Sequence, residues 1–211
     1  MRVLVLGASG GVGRRLLVRG LARGHAIRAQ TRDKRRLADG PAGIEVVAAD
    51  PTDAAALHAL VAGQQAVIIA LGTRPGRRTT LFSDVTAKLI PAMQSQGVRR
   101  LVAITGVGAG DTRGHGGFLY DWIIYPLFTR PFYEDKNRQE ELIRQSRLDW
   151  VLVRPAPFKA EAGPTPFEVI TEVRPETQLR RITREEVADF VLDQLQNDRY
   201  LHKAPFIGHA T

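Results

Sequence analysis

Three glycines stand close together near the start of the chain, at positions 7, 10 and 13. The residues before them, 2–6, are apolar apart from the first, which predicts a strand buried on both faces. After the last glycine, leucines return at helical spacing, which predicts an amphipathic helix. A buried strand that leads through a glycine turn into a helix is the opening unit of an α/β fold, so this short stretch restricts the possible folds strongly.

Each glycine has a distinct use in such a unit. Gly7 permits the tight exit from the strand, Gly10 allows close approach of the backbone to a pyrophosphate, and Gly13 allows the helix to pack against the sheet. The helix N-terminus then points free N–H groups at the bound anion. A glycine-rich turn alone can be purely structural, but its place between a buried strand and an amphipathic helix predicts dinucleotide binding.

Composition limits the class of protein. A chain of 211 residues is long enough for one well-buried domain and short for two. No apolar run reaches the roughly 18 residues that a membrane span needs, so we expect no membrane association and a cytoplasmic location. The chain has no cysteine, which excludes disulfides, thiolate metal sites and a cysteine nucleophile, and we predict no metal site.

The net charge of +8 could indicate a nucleic-acid partner. The arginines, however, are scattered in short groups, and no basic strand is interleaved with aromatic residues. Attraction of a phosphorylated or carboxylated ligand accounts for the charge at least as well. We therefore expect a small-molecule partner and disfavour nucleic acid.

Strand and helix patterns alternate along the chain. Further strands are predicted at 25–31, 44–50, 65–71, 99–105 and 148–154, and helices at 54–61, 80–96 and 133–146. A less regular remainder predicts a strand at 167–173, a helix at 184–196 and a short strand at 205–208. The fold class is therefore α/β: a single Rossmann-like domain over 1–211, with a doubly wound parallel sheet and helices on both faces. We expect irregular segments at about 106–130 and 156–182 to form the substrate side.

Polar residues follow the predicted strands, where ligands of parallel sheets bind. Arg32 ends the second strand, and an arginine there suits the 2′-phosphate of NADP; Arg36, one helical turn on, could close on the same phosphate. Alternatively Asp33 is a ribose ligand, or the whole segment is a solvated basic turn. Asp50 ends the third strand beside the expected adenine, or is simply a turn aspartate. Thr105 is the hydroxyl residue that ends the fifth strand.

The segment from Phe118 to Phe128 is more apolar than a surface connection requires. It could form a substrate wall or lid, or it could belong to the core or to a dimer interface. We expect a monomer or a homodimer.

Four motifs together carry a family resemblance. The glycine turn, Thr31-Arg32-Asp33, Leu71-Gly72-Thr73-Arg74, and Asp135-Lys136 followed by Glu140 resemble the atypical short-chain dehydrogenase/reductases. Within them the chain is most similar to the biliverdin-IXβ reductase/flavin reductase group and its bacterial NAD(P)H-binding, NmrA-like relatives. The resemblance covers nearly the whole chain as far as Phe158.

The resemblance implies a set of cofactor-binding residues for NADP(H). They are Gly7, Ser9, Gly10, Gly11, Val12 and Gly13 at the pyrophosphate; Thr31, Arg32 and Arg36 at the 2′-phosphate; Asp50 and Pro51 at adenine; Leu71, Gly72, Thr73 and Arg74 at the ribose and diphosphate; and Thr105, Pro155, Ala156 and Phe158 near the nicotinamide. Two departures from the reductase group matter. Gly106 stands where that group has a serine, and Lys136 stands where it has a histidine.

The candidate catalytic residues are Thr105, Tyr133 and Lys136. In the broader superfamily the acid is a tyrosine four positions before a lysine, whereas Tyr133 and Lys136 are three apart. That spacing still places both on one helix face. Tyr133 is a candidate proton donor, and Lys136 a candidate contact to ribose or substrate.

These features predict an NADPH-dependent oxidoreductase that transfers hydride to a flat, conjugated acceptor: an anionic flavin or biliverdin-like tetrapyrrole, or else a quinone. The alternative is an NmrA-like redox sensor that binds NADP without turnover. An epimerase or dehydratase acting on sugar nucleotides is disfavoured, because little chain remains after Phe158 to build a substrate domain.

Overall fold

A computed structural model describes residues 1–73, 79–112, 114–115, 130–160 and 166–210. The strands are β1 Arg2–Leu6, β2 Ala26–Thr31, β3 Glu45–Ala48, β4 Ala66–Ile69, β5 Arg100–Ile104, β6 Asp149–Pro155, β7 Glu168–Ile170 and β8 Phe206–Gly208. The helices are α1 Gly11–Ala22, α2 Ala54–Val61, α3 Leu81–Ser95, α4 Arg130–Gln145 and α5 Arg184–Asp193. Short 3-10 turns lie at Lys34–Leu37 and Gly110–Thr112.

The eight described strands form one sheet in the order β3-β2-β1-β4-β5-β6-β8-β7. All neighbouring strands run parallel except β7, which is antiparallel to β8. The chain moves outward from β1 to β3 and then returns to place β4 on the other side of β1. This reversal confirms the predicted doubly wound, Rossmann-like fold, and it opens a crevice at the carboxyl ends of β1 and β4.

Helices cover both faces of the sheet. Val3 and Val5 of β1 join the hydrophobic cluster beneath α1 and α5, whereas Leu4 and Leu6 join the cluster beneath α2, α3 and α4. All four side chains are completely buried. The continuous apolar run of β1 therefore reflects burial on both faces, as the sequence predicts.

Several element boundaries differ from the prediction. The β3 strand is shorter than the predicted 44–50 because it lies at the edge of the sheet and pairs only with β2. The α4 helix starts at Arg130 rather than at 133, since Pro131 is tolerated in a first helical turn. The segment 118–128 lies outside the described residues. Of the part of the chain that the structure describes, no helix is both long and apolar enough to cross a membrane.

Candidate functional site

A cleft of about 1130 Å³ runs along the carboxyl ends of the central strands. Its lining contains nearly every residue that the sequence indicated: Gly7, Ser9, Gly10, Gly11, Val12, Thr31, Arg32, Arg36, Asp50, Pro51, Leu71, Gly72, Thr73, Thr105, Tyr133, Lys136, Pro155, Ala156 and Phe158. Gly13 lies beneath the turn instead of in the lining, and Arg74 falls outside the described residues. The fold thus collects these residues from seven separate chain segments around one cavity.

The glycine turn has no room for side chains at two positions. Gly7 has a φ of +80°, and a Cβ there would lie 2.7 Å from the carbonyl oxygen of Ala70 on the neighbouring strand segment. At Gly13 a Cβ would lie 2.4 Å from the carbonyl oxygen of Gly7. Both contacts are with backbone atoms, so glycine is required if strand and helix are to approach this closely.

The N-terminus of α1 opens into the cleft without a side-chain cap. Its N-cap residue is Gly10, and the first turn contains no acidic residue. The first helical N–H that finds a main-chain partner belongs to Arg14, which donates to the carbonyl of Gly10 at 2.9 Å. Helix geometry leaves the preceding N–H groups without intrahelical acceptors, at the positive end of the helix dipole. This end of the cleft therefore fits an anionic group such as a diphosphate.

Gln30 fixes the glycine turn and was missed by the sequence analysis. Its side-chain oxygen accepts a hydrogen bond from the Gly7 N–H at 3.0 Å, and its side-chain nitrogen donates to the Ala49 carbonyl at 2.8 Å. The side chain is buried and lines the cleft floor. The available signal was a polar residue near the end of an otherwise buried strand, since such a residue needs hydrogen-bond partners.

The charged residues of the basic segment after β2 have different surroundings. Arg32 and Arg36 line the cleft with exposed side chains. Asp33 instead caps the 3-10 turn, accepting from the Arg35 N–H at 3.0 Å and pairing with the Arg35 guanidinium at 3.0 Å. These hydrogen bonds from Arg35 lower the pKa of Asp33. The carboxylate that could have served as a ribose ligand is thus engaged with Arg35 and is not part of the cleft lining.

Asp50 is also engaged locally. Its carboxylate accepts from the backbone N–H of Thr52 at 2.9 Å and from the Thr52 hydroxyl at 2.8 Å, and these bonds lower the pKa of Asp50. It remains in the cleft lining beside Pro51. Both the turn interpretation and the adenine-side position are thereby compatible with its geometry.

Lys136 is held deep in the wall formed by α4. Its ammonium group donates to the carbonyl of Ile104 at 2.9 Å and to the side-chain oxygen of Gln139 at 3.1 Å, and it lies 3.8 Å from the ring centre of Phe82. Burial lowers the pKa of Lys136 to about 7, while the nearby Glu140 carboxylate opposes this shift. The lysine therefore changes protonation state near neutral pH.

Tyr133 packs against Gly106, the position at which the family resemblance leads us to expect a serine. Gly106 has a φ of +136°, and a Cβ there would lie 2.8 Å from the Tyr133 hydroxyl. A Cβ at Gly108 would lie 2.6 Å from the same ring. A serine at position 106 would thus collide with the phenol, so the departure at Gly106 and the position of Tyr133 are two parts of one arrangement.

The remaining polar residues of α4 bind other parts of the fold. Thr105 donates its hydroxyl proton to Glu140 at 2.7 Å, and Arg154 donates to both oxygens of Glu140 at 3.0 and 2.6 Å. Asp135 is fully buried and accepts from the Phe82 N–H at 2.8 Å, which caps α3 from outside that helix. The sequence indicates the motif Asp135-Lys136 followed by Glu140. Only the folded chain shows that Glu140 pairs with Arg154.

Arg184 is a second cleft residue that the sequence analysis did not identify as part of the site. The sequence predicts it only as the first residue of the helix at 184–196, yet its side chain reaches the cleft. Its guanidinium carbon lies 4.7 Å from the ring centre of Phe158. No local pattern distinguishes it from the other arginines of the chain.

Comparisons with known proteins agree with this geometry. The sequence profile of the NAD(P)H-binding family matches residues 7–198. An uncharacterised chloroplastic protein of Arabidopsis thaliana is 30% identical over 209 residues, covering 92% of this chain and 71% of that protein.

Solved structures match over the full length. A protein of Bacillus halodurans described as an NAD-dependent epimerase/dehydratase aligns with a TM-score of 0.79 and 25% identity, covering 100% of this chain and 94% of the other. The anaerobillin reductase ChuY of Escherichia coli O157:H7 aligns with a TM-score of 0.79 and 21% identity, covering 99% and 97%, which shows a shared fold. From its glycine turn to its last helix, the chain belongs to the NAD(P)H-binding family.

Proposed function

We propose that this protein is an NADPH-dependent reductase of flat, conjugated acceptors: anionic ones such as flavins or biliverdin-like tetrapyrroles, or else quinones. The observation that carries the proposal is one continuous cleft that joins the uncapped α1 N-terminus to the Tyr133 and Lys136 wall. A bound NADPH supplies the hydride, and the protein supplies binding, orientation and charge.

The preference for NADPH is argued from the charges after β2. Arg32 and Arg36 are exposed in the cleft, and neither forms an ion pair with a described residue. Asp33, the acidic alternative, is engaged with Arg35. A 2′-phosphate therefore meets two guanidinium groups, while the carboxylate in the described lining, Asp50, already accepts two hydrogen bonds from Thr52.

On the opposite wall, Tyr133 is the residue that we assign as proton donor to the reduced acceptor. Its hydroxyl lies next to Gly106 at the end of β5, where the cleft passes between β5 and α4. Thr105 is a positioning residue in this scheme, because its own proton is already donated to Glu140. Lys136 lies beside the Phe82 ring and the Ile104 carbonyl, and in its protonated form it favours an anionic ligand in the adjacent space.

Two observations support this class of acceptor: an aromatic ring in the cleft lining and the description of one structural neighbour. Phe158 places an aromatic ring in the cleft lining, and such a ring stacks well on a planar conjugated acceptor. ChuY, a fold neighbour, is described as an anaerobillin reductase. We take this as support for testing tetrapyrroles first and flavins second.

The test is NADPH oxidation in the presence of biliverdin, FMN or a water-soluble quinone, with protein that has been shown to bind NADPH. We expect turnover with at least one acceptor, and we expect Tyr133→Phe to lower kcat while nucleotide affinity is kept. If the protein binds NADPH but reduces none of the three, the reductase assignment is wrong. If Tyr133→Phe keeps full kcat, the proton comes from solvent instead.

A second candidate is an NADP-binding redox sensor without turnover. It is favoured by the loss of the serine at position 106 and by the engagement of Thr105 and Lys136 with other protein groups. A partner protein whose capture depends on the NADP/NADPH ratio supports this reading, and steady turnover of any acceptor counts against it.

A further inference from the structure

We propose that Arg184 is a diphosphate-binding residue, reaching from α5 across the glycine turn to hold the phosphates of the dinucleotide against the N-terminus of α1. The inference rests on the proposed nucleotide site and adds a residue from a distant part of the chain to it. It makes α5 part of the cofactor site.

The backbone of Arg184 is fixed by the start of α5. Thr183 is the N-cap: its hydroxyl accepts from the Glu186 N–H at 3.1 Å, and the Glu186 carboxylate accepts from the Thr183 N–H at 2.8 Å. His209 is a further partner of Glu186, at 3.0 Å. Arg184 therefore extends from a rigid point, so little backbone ordering is needed when it meets an anion.

The side chain of Arg184 lies between two elements of the cleft. On one side a Cβ built at Gly11 would be 2.7 Å from its Nε atom, so the guanidinium stem passes directly over the first residue of α1. On the other side its guanidinium carbon lies 4.7 Å from the Phe158 ring centre. The ring orients the planar fork, and the fork lies beside the unpaired N–H groups of the helix.

The charges of the α1–α5 interface make Arg184 an exception. Two arginines of α1 and its C-cap residue Arg23 form ion pairs with acids of α5: Arg15 with Glu185 at 2.8 Å, Arg19 with Asp189 at 2.8 Å and Arg23 with Asp193 at 2.6 Å. Arg184 has no hydrogen-bond or ion-pair partner among the described residues; its contact is the Phe158 ring. A cation beside the positive end of a helix is unfavourable unless an anion lies between them.

A dinucleotide diphosphate supplies that anion. Its two phosphates are adjacent, so one can accept from the α1 N–H groups while the other takes a bidentate bond from the guanidinium. This role differs from the one proposed for Arg32 and Arg36, which follow β2 and are assigned to the 2′-phosphate. The two arginine groups should therefore respond to different parts of the cofactor.

The experiment is calorimetric titration of Arg184→Gln with NADPH, ADP-ribose and 2′-AMP. ADP-ribose carries the diphosphate without a 2′-phosphate, and 2′-AMP carries the 2′-phosphate without a diphosphate. We expect the variant to lose about 10- to 100-fold in affinity for NADPH and ADP-ribose, as for a lost charge-assisted bond, and to bind 2′-AMP like the wild type. Arg184→Lys should restore part of the loss.

The matched control is Arg181→Gln, which removes the same charge from an exposed residue outside the cleft, three positions before Arg184. It should bind all three ligands within about twofold of the wild type, as expected for a screened surface charge. Thermal unfolding of each variant establishes that the folded protein is being compared.

The possible failures are distinguishable. If the wild type binds neither NADPH nor ADP-ribose, the proposed nucleotide site itself is wrong. If Arg184→Gln binds both nucleotides normally but raises KM for the acceptor, the guanidinium holds an acceptor carboxylate, and the diphosphate assignment is overturned. If neither affinity nor KM changes, Arg184 has no ligand role. A loss of 2′-AMP affinity equal to that of ADP-ribose also overturns the assignment.

Discussion

The two walls of the cleft are built on opposite principles. At the glycine turn, the N–H groups in the first turn of α1 have no intrahelical acceptor, and the guanidinium of Arg184 has no acceptor among the described residues. At the α4 wall, Lys136, Asp135 and Glu140 are buried and hydrogen-bonded to neighbouring elements. One wall keeps its hydrogen-bonding capacity for a ligand, and the other uses it to hold the fold together.

This difference teaches which residues a ligand can use. Substitutions at the glycine turn should change nucleotide affinity more than stability, whereas those in the α4 wall should change stability more than affinity. The same difference explains why the polar motif of α4 does not by itself identify catalytic residues. A polar group that is hydrogen-bonded within the protein has fewer donors and acceptors left for a substrate. Four substitutions test this contrast.

The largest effect is expected at Gly13. A methyl group there meets the Gly7 carbonyl at 2.4 Å, so Gly13→Ala must push α1 away from the turn. We expect nucleotide affinity to fall at least about 100-fold, with a loss of about 1–3 kcal/mol in the free energy of unfolding. Calorimetry and urea unfolding measure the two quantities.

The control for Gly13 is Gly24→Ala. Gly24 lies in the turn after α1, with a φ of +75°, and a Cβ there meets no atom within 4 Å. Backbone strain should cost it about 1–2 kcal/mol of stability with no loss of nucleotide affinity. Equal binding losses in both variants would show that general destabilisation, rather than the turn geometry, is responsible.

The second largest effect is expected for Glu140→Gln, which removes one acceptor from the buried Glu140–Arg154 pair of the α4 wall. Arg154 donates to both carboxylate oxygens of Glu140, and one amide group cannot accept both bonds. The free energy of unfolding should fall by about 3 kcal/mol, as for other buried pairs that lose one partner, and NADPH affinity of the folded variant should stay within a few-fold. The exposed neighbour Glu141→Gln should change stability by less than about 0.5 kcal/mol. A strong affinity loss without destabilisation would contradict the contrast between the walls.

The lowered pKa of Lys136 predicts that the free energy of unfolding depends on pH. Burial lowers its folded-state pKa to about 7 from 10.5, so between these values the unfolded chain binds more protons than the folded chain. Stability should therefore rise with pH across this window, by at most about 1.4 kcal/mol per pH unit from this group, relative to Lys136→Met. Urea unfolding of both proteins at pH 7 and pH 9 measures the difference, which stays constant if Lys136 does not titrate there.

The smallest effect is expected from the arginines after β2. Arg32→Gln should lower NADPH affinity about tenfold, through the loss of one charge-assisted bond to the 2′-phosphate, and leave NADH affinity unchanged. Lys34→Gln removes the same charge from an exposed side chain outside the cleft and should alter neither affinity. Parallel losses for NADPH and NADH in Arg32→Gln would place this arginine elsewhere on the nucleotide.

Much of the site was predictable because its signals are local. The glycine turn, the arginine after β2 and the hydroxyl at the end of β5 are each read from a few consecutive residues, and the doubly wound sheet then brings them to one edge. Gln30, Arg184 and the Glu140–Arg154 pair were not assigned to the site in this way. Their roles depend on partners from other elements, and a single sequence carries no pattern for such pairs.

By itself, the sequence determined the order of strands and helices and the turn that approaches a ligand, because steric limits on glycine and the periodicity of burial act over short spans. The tertiary structure decided which polar groups are already engaged and which remain for a ligand. That division depends on distances between residues far apart in the chain: Asp33 is removed from the cleft by Arg35, whereas Arg184 is brought into it from the opposite end of the protein. Charge and hydrogen-bond satisfaction are properties of the packed molecule, so only the fold could decide them.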